Sequence, residues 1–257
     1  MDLGLSGKTA LVTGGSRGLG RHAAMALAKE GCNVAICARE RKVLDQATVE
    51  LQGLGARALG VQADVSSTED IGRLFQETVE AFGPVDVLIN NVGGSAGRDF
   101  DSADDDVWEN TLQLNLFSSI RLIRLCLPSM RERGWGRIIN VASIWGREHG
   151  GGLAYMTTKA ALIAFSKHLA LEVAGTGITI NSMAPGSIEF PGGSWQRFQE
   201  NNPEEVVQEF IRNNLPMGRF GWPEPVGALA AFLASAQADL ITGACINIDG
   251  GQSKSLI

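Results

Sequence analysis

The chain has 257 residues, 44% of them hydrophobic and 19% charged, with a formal net charge of -6. That length and apolar share are enough for one large α/β domain with a full core. The acidic balance argues against a nucleic-acid or anionic-membrane partner, since both need a basic footprint, and no run of eighteen apolar residues is present to span a bilayer.

The opening residues Met1-Asp2-Leu3-Gly4-Leu5-Ser6 combine no basic stretch with an apolar one, so no signal peptide and a cytoplasmic location are expected. Cys32, Cys37, Cys126 and Cys245 form no Cys-x-x-Cys pair, and His22, His149 and His168 are dispersed. Reduced thiols and no metal site are the expectation.

In chain order, short apolar runs alternate with helical stretches. A strand over 8–13 ends in a glycine-rich turn, followed by an alanine-rich helix over 21–30 that Gly31 closes. A strand at 33–37 leads to a helix at 41–51, and a strand at 57–61 to a helix at 68–82 that stops at Gly83-Pro84. After a strand at 85–90, one long helix is expected over 107–133. The acids Asp104, Asp105 and Asp106 before it suit a helix N-terminus better than a metal. A strand at 137–142, a long helix at 153–174 and strands at 178–182 and 244–248 complete the pattern. Strands as uniformly apolar as Val87-Leu88-Ile89 are buried on both faces, as a parallel sheet requires. The expected fold is therefore a single-domain, Rossmann-type, doubly wound α/β sheet over 1–257, with helices on both faces.

Residues 186–225 break this rhythm. They hold Phe190, Trp195, Phe198, Phe210, Phe220 and Trp222 among prolines and glycines. A long aromatic insertion in a compact fold is expected to form a lid or pocket wall. The plainer alternative is a surface excursion that its aromatics anchor.

Tyr155 is the only tyrosine in the chain, and Lys159 follows it by four residues. On a helix the two share a face, and a nearby cation favours the phenolate, as a general acid/base near neutral pH requires. Taken alone the pair is a common helix-surface arrangement, so other blocks must decide. The turn Thr13-Gly14-Gly15-Ser16-Arg17-Gly18-Leu19-Gly20 lies between the first strand and first helix, where backbone N–H groups can meet a pyrophosphate. The absence of Gly-Lys-Ser/Thr excludes a Walker-type loop. The second strand ends Cys37-Ala38-Arg39, without the carboxylate expected of an NAD site. Arg39 and Arg17 instead suit a 2'-phosphate and hence NADP(H), unless both are simply solvated surface charges.

Together these blocks resemble the short-chain dehydrogenase/reductase family along essentially the whole chain, and particularly its 3-oxoacyl-acyl-carrier-protein reductase-like members. The matching positions are Thr13 to Gly20, Asp64-Val65, Asn90-Asn91-Val92-Gly93 (valine where alanine is usual), Asn115, Ser143, Tyr155, Lys159, Asn181 and Pro185-Gly186. The resemblance implies cofactor contacts from Gly14, Ser16, Arg17, Gly18, Leu19, Gly20 and Arg39. It implies adenine contacts from Asp64 and Val65, ribose contacts from Asn91 and Gly93, and a nicotinamide wall of Pro185, Gly186 and Ile188. Tyr155 is implied as proton donor and acceptor, Ser143 as the group orienting the carbonyl, and Lys159 as ribose ligand and depressor of the tyrosine pKa. Asn115 is implied to hold a relay water. One departure stands out: the family's threonine after Pro-Gly is replaced by Phe190, so Glu189 or Phe190 is expected to face the substrate.

Trp145, Arg147, Glu148 and His149 are expected on one wall of the substrate pocket. The helix over 153–174 is apolar around most of its girth, which, with the resemblance, implies a homotetramer. The leading expectation is NADP(H)-dependent exchange of a hydride with a small carbonyl/alcohol substrate. The alternatives are an NAD(H) enzyme of the same family, epimerisation or dehydration through a transient ketone, and a non-catalytic nucleotide-binding regulator.

Overall fold

A computed structural model of the chain describes residues 2–94, 97 and 99–256; Met1 and Ile257, the ends of the expected 1–257 domain, fall outside the described residues. Seven strands are present among them: β1 (Thr9–Thr13), β2 (Asn33–Ala38), β3 (Ala58–Gln62), β4 (Val87–Asn90), β5 (Gly136–Val141), β6 (Ile178–Pro185) and β7 (Cys245–Ile248). They form one parallel sheet in the order β3-β2-β1-β4-β5-β6-β7. The first helices are α1 (Gly18–Lys29), α2 (Arg41–Gly53), α3 (Thr68–Phe82) and α4 (Asp105–Leu112). They are followed by α5 (Ser118–Arg133), α6 (Leu153–Glu172), α7 (Ser194–Glu200), α8 (Glu204–Asn214) and α9 (Pro223–Ala234).

Strand alternation divides the core between the two faces of the sheet. Ala10, Val12, Val34, Ile36, Val87 and Ile89 point to one face and pack with α1, α2 and α9 through Ala24, Leu27, Leu44, Ala230 and Leu233. Leu11, Ala35, Leu88, Ile138 and Ile180 point to the other, against Ile71 and Leu74 of α3, Leu122 and Cys126 of α5, and Ala170 of α6. Both faces are dry, which accounts for the uninterrupted apolar strands. The chain reverses direction across the sheet between β1 and β4, and this switch point opens a crevice at the carboxyl ends of the strands.

Several elements differ from the sequence expectation, among them α9 (Pro223–Ala234), where no helix is expected. Helix α1 starts at Gly18, three residues early, because Gly18 adopts a φ of 55° and joins the glycine turn directly to the first helical turn. The long helix expected over 107–133 is interrupted by a π-helical segment, Gln113–Phe117, in which the Ser118 N–H reaches back five residues to the Gln113 carbonyl. Asn115 supplies the cause: its Nδ2 donates to the Thr111 carbonyl at 2.9 Å, taking the acceptor of the α-helical ladder. The acidic run before this helix does cap it, with Asp104 Oδ1 accepting from the Val107 N–H at 2.9 Å.

Candidate active site

A cleft of about 1380 Å³ runs along the carboxyl ends of the strands, from Arg39 at one end to Phe210 at the other. The first six strands each end by delivering a residue to it: Gly14 and Arg17 beyond β1, Arg39 beyond β2, Asp64 beyond β3, Asn91 and Gly93 beyond β4, Ser143 beyond β5, and Gly186 and Ile188 beyond β6. Tyr155 and Lys159, in the first turns of α6, complete one wall. The sequence-predicted residues Gly14, Ser16, Arg17, Leu19, Arg39, Asp64, Val65, Asn91, Gly93, Ser143, Tyr155, Lys159, Pro185, Gly186 and Ile188 thus border one cavity. Gly18, Gly20 and Asn115 stand just behind it, the last fully buried.

Ser143 sits in extended backbone past β5, where its Oγ accepts from the Trp145 N–H at 3.2 Å and lies close enough to the Tyr155 phenol to favour its ionised form. Lys159 is almost fully buried, and its Nζ donates to the Val141 carbonyl at 2.7 Å, 5.6 Å from the Tyr155 ring centroid. Burial alone lowers the Lys159 pKa from its usual 10.5 to about 8. The Tyr155 pKa is raised, chiefly by burial, with the Ser143 hydrogen bond opposing. The depression expected from the neighbouring cation is not seen, because burial of the phenolate raises the pKa instead.

Gly93 carries a tight steric condition beside the lysine. A Cβ there would lie 2.8 Å from both Asn115 Oδ1 and Lys159 Nζ, so only glycine lets this loop close over them. The Asn115 side chain is engaged by backbone: Nδ2 donates to the Gly94 and Thr111 carbonyls, and Oδ1 accepts from the Gly94 N–H at 3.0 Å. These bonds lock the loop to the π segment.

At the nucleotide end, the Arg17 side chain does not cap α1, and no acid lies in the first helical turn. The free N–H groups there suit a pyrophosphate, so the residues fit a dinucleotide. Both arginines have partners: Arg39 Nη1 lies 3.9 Å from Asp64, and Arg17 Nη2 lies 3.5 Å from Glu40. Glu40, one residue past the strand-end triplet, was not anticipated. Thr13, the first residue of the turn motif, accepts at Oγ1 from the N–H groups of Asn91 and Val92 at 2.9 and 3.3 Å. Asn91 itself donates from Nδ2 to the Thr13 carbonyl at 3.0 Å, so its side chain braces the glycine turn.

The expected substrate wall is only partly present. Trp145 lines the cleft, whereas Arg147 turns away to donate to the Cys245 carbonyl and Glu148 accepts from the Lys254 N–H. Phe190 also departs from expectation, since its ring lies on the glycine turn: a Cβ on Gly18 would be 2.7 Å from its Cε2 and Cζ. It therefore borders the nucleotide half. The aromatics further on come together as helices α7 and α8. Trp195 stands between Phe210 and Phe220, with ring centroids 4.9 and 5.3 Å away, and meets Trp145 at 6.3 Å. Gln252 ties the C-terminal segment to this region, its Oε1 accepting from the Ser187 N–H at 2.7 Å. Partners 65 residues apart leave no local trace in sequence.

The short chain dehydrogenase family model matches residues 8–201. The chain belongs to the short chain dehydrogenase family. It is 35% identical to the 3-oxoacyl-(acyl-carrier-protein) reductase of Aquifex aeolicus, over 98% of this chain and 99% of that one. Among solved structures it resembles L-sorbose reductase from Gluconobacter frateurii complexed with NADPH and L-sorbose, at 34% identity and a TM-score of 0.93 over 100% of both chains. A variant actinorhodin polyketide ketoreductase with NADPH is similar at 35% identity and a TM-score of 0.90, over 96% of this chain and 97% of that one. The chain is thus an oxidoreductase of this family, with a cleft formed as a nucleotide-cofactor site. Among the described residues, no helix is long and apolar enough to cross a membrane.

Proposed function

We propose that the protein is a cytoplasmic NADP(H)-dependent reductase of a carbonyl substrate, running in reverse as a secondary-alcohol dehydrogenase, with Tyr155 as its general acid and base. The observation that carries this reading is the convergence of Ser143, Tyr155 and Lys159 in one cleft with an uncapped helix N-terminus and two arginines. When bound, the nicotinamide supplies or accepts the hydride. The chain's own groups must stabilise the oxygen that becomes negative as the carbonyl is reduced. The Ser143 hydroxyl orients that oxygen, and the Tyr155 phenol, held protonated by burial, gives it a proton. Lys159, with a pKa of about 8, remains mostly an ammonium at pH 7 and favours the resulting phenolate. Arg39 and Arg17 would hold a 2'-phosphate, a reading supported by the NADPH present with two structural relatives. Val65 and Asp64 would flank the adenine, and Pro185, Gly186 and Ile188 the nicotinamide.

One observation favours the second reading, NAD(H): Glu40 already engages Arg17, and a 2'-phosphate would have to compete with it. For assembly, Ala160, Ala164 and Leu171 on α6 and Leu125 on α5 stand exposed, which favours a homotetramer built on these helices.

The test is a panel of ketones assayed by NADPH and NADH consumption, with Tyr155→Phe as control. Loss of about 10²–10⁴-fold in kcat with cofactor binding retained is the expected result. Full activity in Tyr155→Phe would overturn the mechanism.

A further inference from the structure

The cleft is chemically divided. Arg17, Arg39, Glu40 and Asp64 gather at the nucleotide end, and Lys159 is bound to the Val141 carbonyl. Beyond Ser143 and Tyr155, the lining becomes Trp145, Trp195, Phe198 and Phe210, with glycines between them. Among the described residues, the one charged lining side chain in that half, Arg197, donates from Nη1 to the Gly192 carbonyl at 2.7 Å. A sugar or polyol would need convergent donors and acceptors here, and this half presents ring faces instead.

Trp195 and Trp145 come from different elements and meet at 6.3 Å between ring centroids. Trp195 is carried by α7 and backed by Phe198, Phe210 and Phe220, whose centroids lie 4.9 to 5.9 Å from one another or from the Trp195 ring. Trp145 follows β5 by four residues and is backed by the Gly150–Gly151 loop, where a Cβ on Gly151 would be 2.6 Å from its Cε3. If the aromatics served only as a core for the insertion, they would be sealed. Instead Trp145, Trp195, Phe198 and Phe210 are all half-buried and border the open cleft. Rigid, pre-packed aromatic faces at low entropy cost favour offset or edge-to-face contact with another ring.

Building on the reductase reading above, we propose that the substrate is a ketone bearing an aromatic ring. The ring lies against Trp195 and Trp145 while the carbonyl reaches Ser143 and Tyr155. The carbonyl becomes a secondary alcohol, its proton comes from Tyr155, and NADPH is oxidised to NADP⁺.

The test compares kcat/KM with NADPH for 2-acetylnaphthalene, 2-octanone, a ketohexose and an acetoacetyl thioester of N-acetylcysteamine. The naphthyl ketone is expected to exceed 2-octanone about tenfold, the scale of aromatic pairing plus burial. That ratio should fall towards unity in Trp145→Leu and, separately, in Trp195→Leu. Because Trp195 also packs the insertion, Trp145→Leu and the wild-type ratio carry the test if Trp195→Leu folds poorly. Quenching of tryptophan emission by 2-acetylnaphthalene in Tyr155→Phe gives a binding readout without turnover, and its weakening in the Trp145→Leu background supports the contact. Equal or better reduction of 2-octanone, the ketohexose or the thioester overturns the aromatic assignment and leaves the reductase reading standing. An unchanged ratio in the tryptophan variants overturns it likewise. Failure of all four compounds to consume either cofactor would overturn the reductase reading itself.

Discussion

Replacing Lys159 by methionine should raise the stability of the cofactor-free protein while abolishing its chemistry. The fall in the lysine pKa from 10.5 to about 8 has one cause, burial of the ammonium. That fall corresponds to a penalty of about 3 kcal/mol on the charged form in the folded state. Methionine fills a similar unbranched space without charge. It forfeits the hydrogen bond to the Val141 carbonyl, which gives back about 1 kcal/mol. The net gain at pH 7 is about 2 kcal/mol, or a rise of about 5 °C in melting temperature for a chain of this size. The sign also fixes a pH dependence. Between pH 8 and 10.5 the unfolded lysine still holds its proton and the folded one has released it, so wild-type stability rises with pH relative to the variant. The variant's advantage is therefore full below about pH 8 and shrinks as pH approaches 10.5. Calorimetric melts of both proteins without cofactor, at pH 7 and at steps towards pH 10, measure this difference directly. A variant that melts below wild type at pH 7, or a difference unaffected by pH, would refute the reasoning.

Four further outcomes are expected. Gly93→Ala places a methyl 2.8 Å from Lys159 Nζ and Asn115 Oδ1; overpacking of this kind costs about 1–3 kcal/mol, and the same shift should lower kcat at least tenfold, read from steady-state kinetics and a melt. Arg39→Ala removes a charge-assisted partner for a 2'-phosphate, so KM for NADPH should rise about tenfold or more with KM for NADH little changed; equal effects on both would favour the NAD(H) reading. Because burial raises the Tyr155 pKa, alcohol oxidation should accelerate with rising pH, whereas carbonyl reduction should weaken above about pH 8 as Lys159 loses its proton, both read from pH profiles of kcat/KM. Light scattering at micromolar concentration should give four times the 27.3 kDa chain mass, and Leu171→Glu should lower it.

The strands were legible because a parallel sheet buries both faces, and runs such as Val87-Leu88-Ile89 carry that condition locally. Much of the membership of the cleft was legible for a related reason: the lining residues that follow β1 to β6 sit at the carboxyl ends of parallel strands, where a doubly wound sheet opens its crevice. What sequence could not disclose were contests between local and distant effects. The four-residue spacing of Tyr155 and Lys159 gave their adjacency, but only the packed interior shows that burial raises the tyrosine pKa. The apolar period around Leu112-Gln113-Leu114-Asn115-Leu116-Phe117 reads as unbroken helix, since the π segment arises from one amide taking one carbonyl. Arg147 and Glu148 are one and two residues from the turn that carries Trp145, yet bond to residues 98 and 106 positions away. Phe190 was recognised as unusual, but its seat on Gly18 depends on the path of a segment with no sheet to guide it.

That seat has a mechanical consequence. The ring of Phe190 belongs to the stretch joining β6 to α7, while Gly18 opens the helix expected to receive the pyrophosphate. Any displacement of one surface past the other trades aromatic contact for access, so the insertion and the phosphate seat share a single latch. Lengthening or stiffening the stretch between Ile188 and Ser194 would then register first in how fast the dinucleotide comes and goes, before it registered in the choice of ketone.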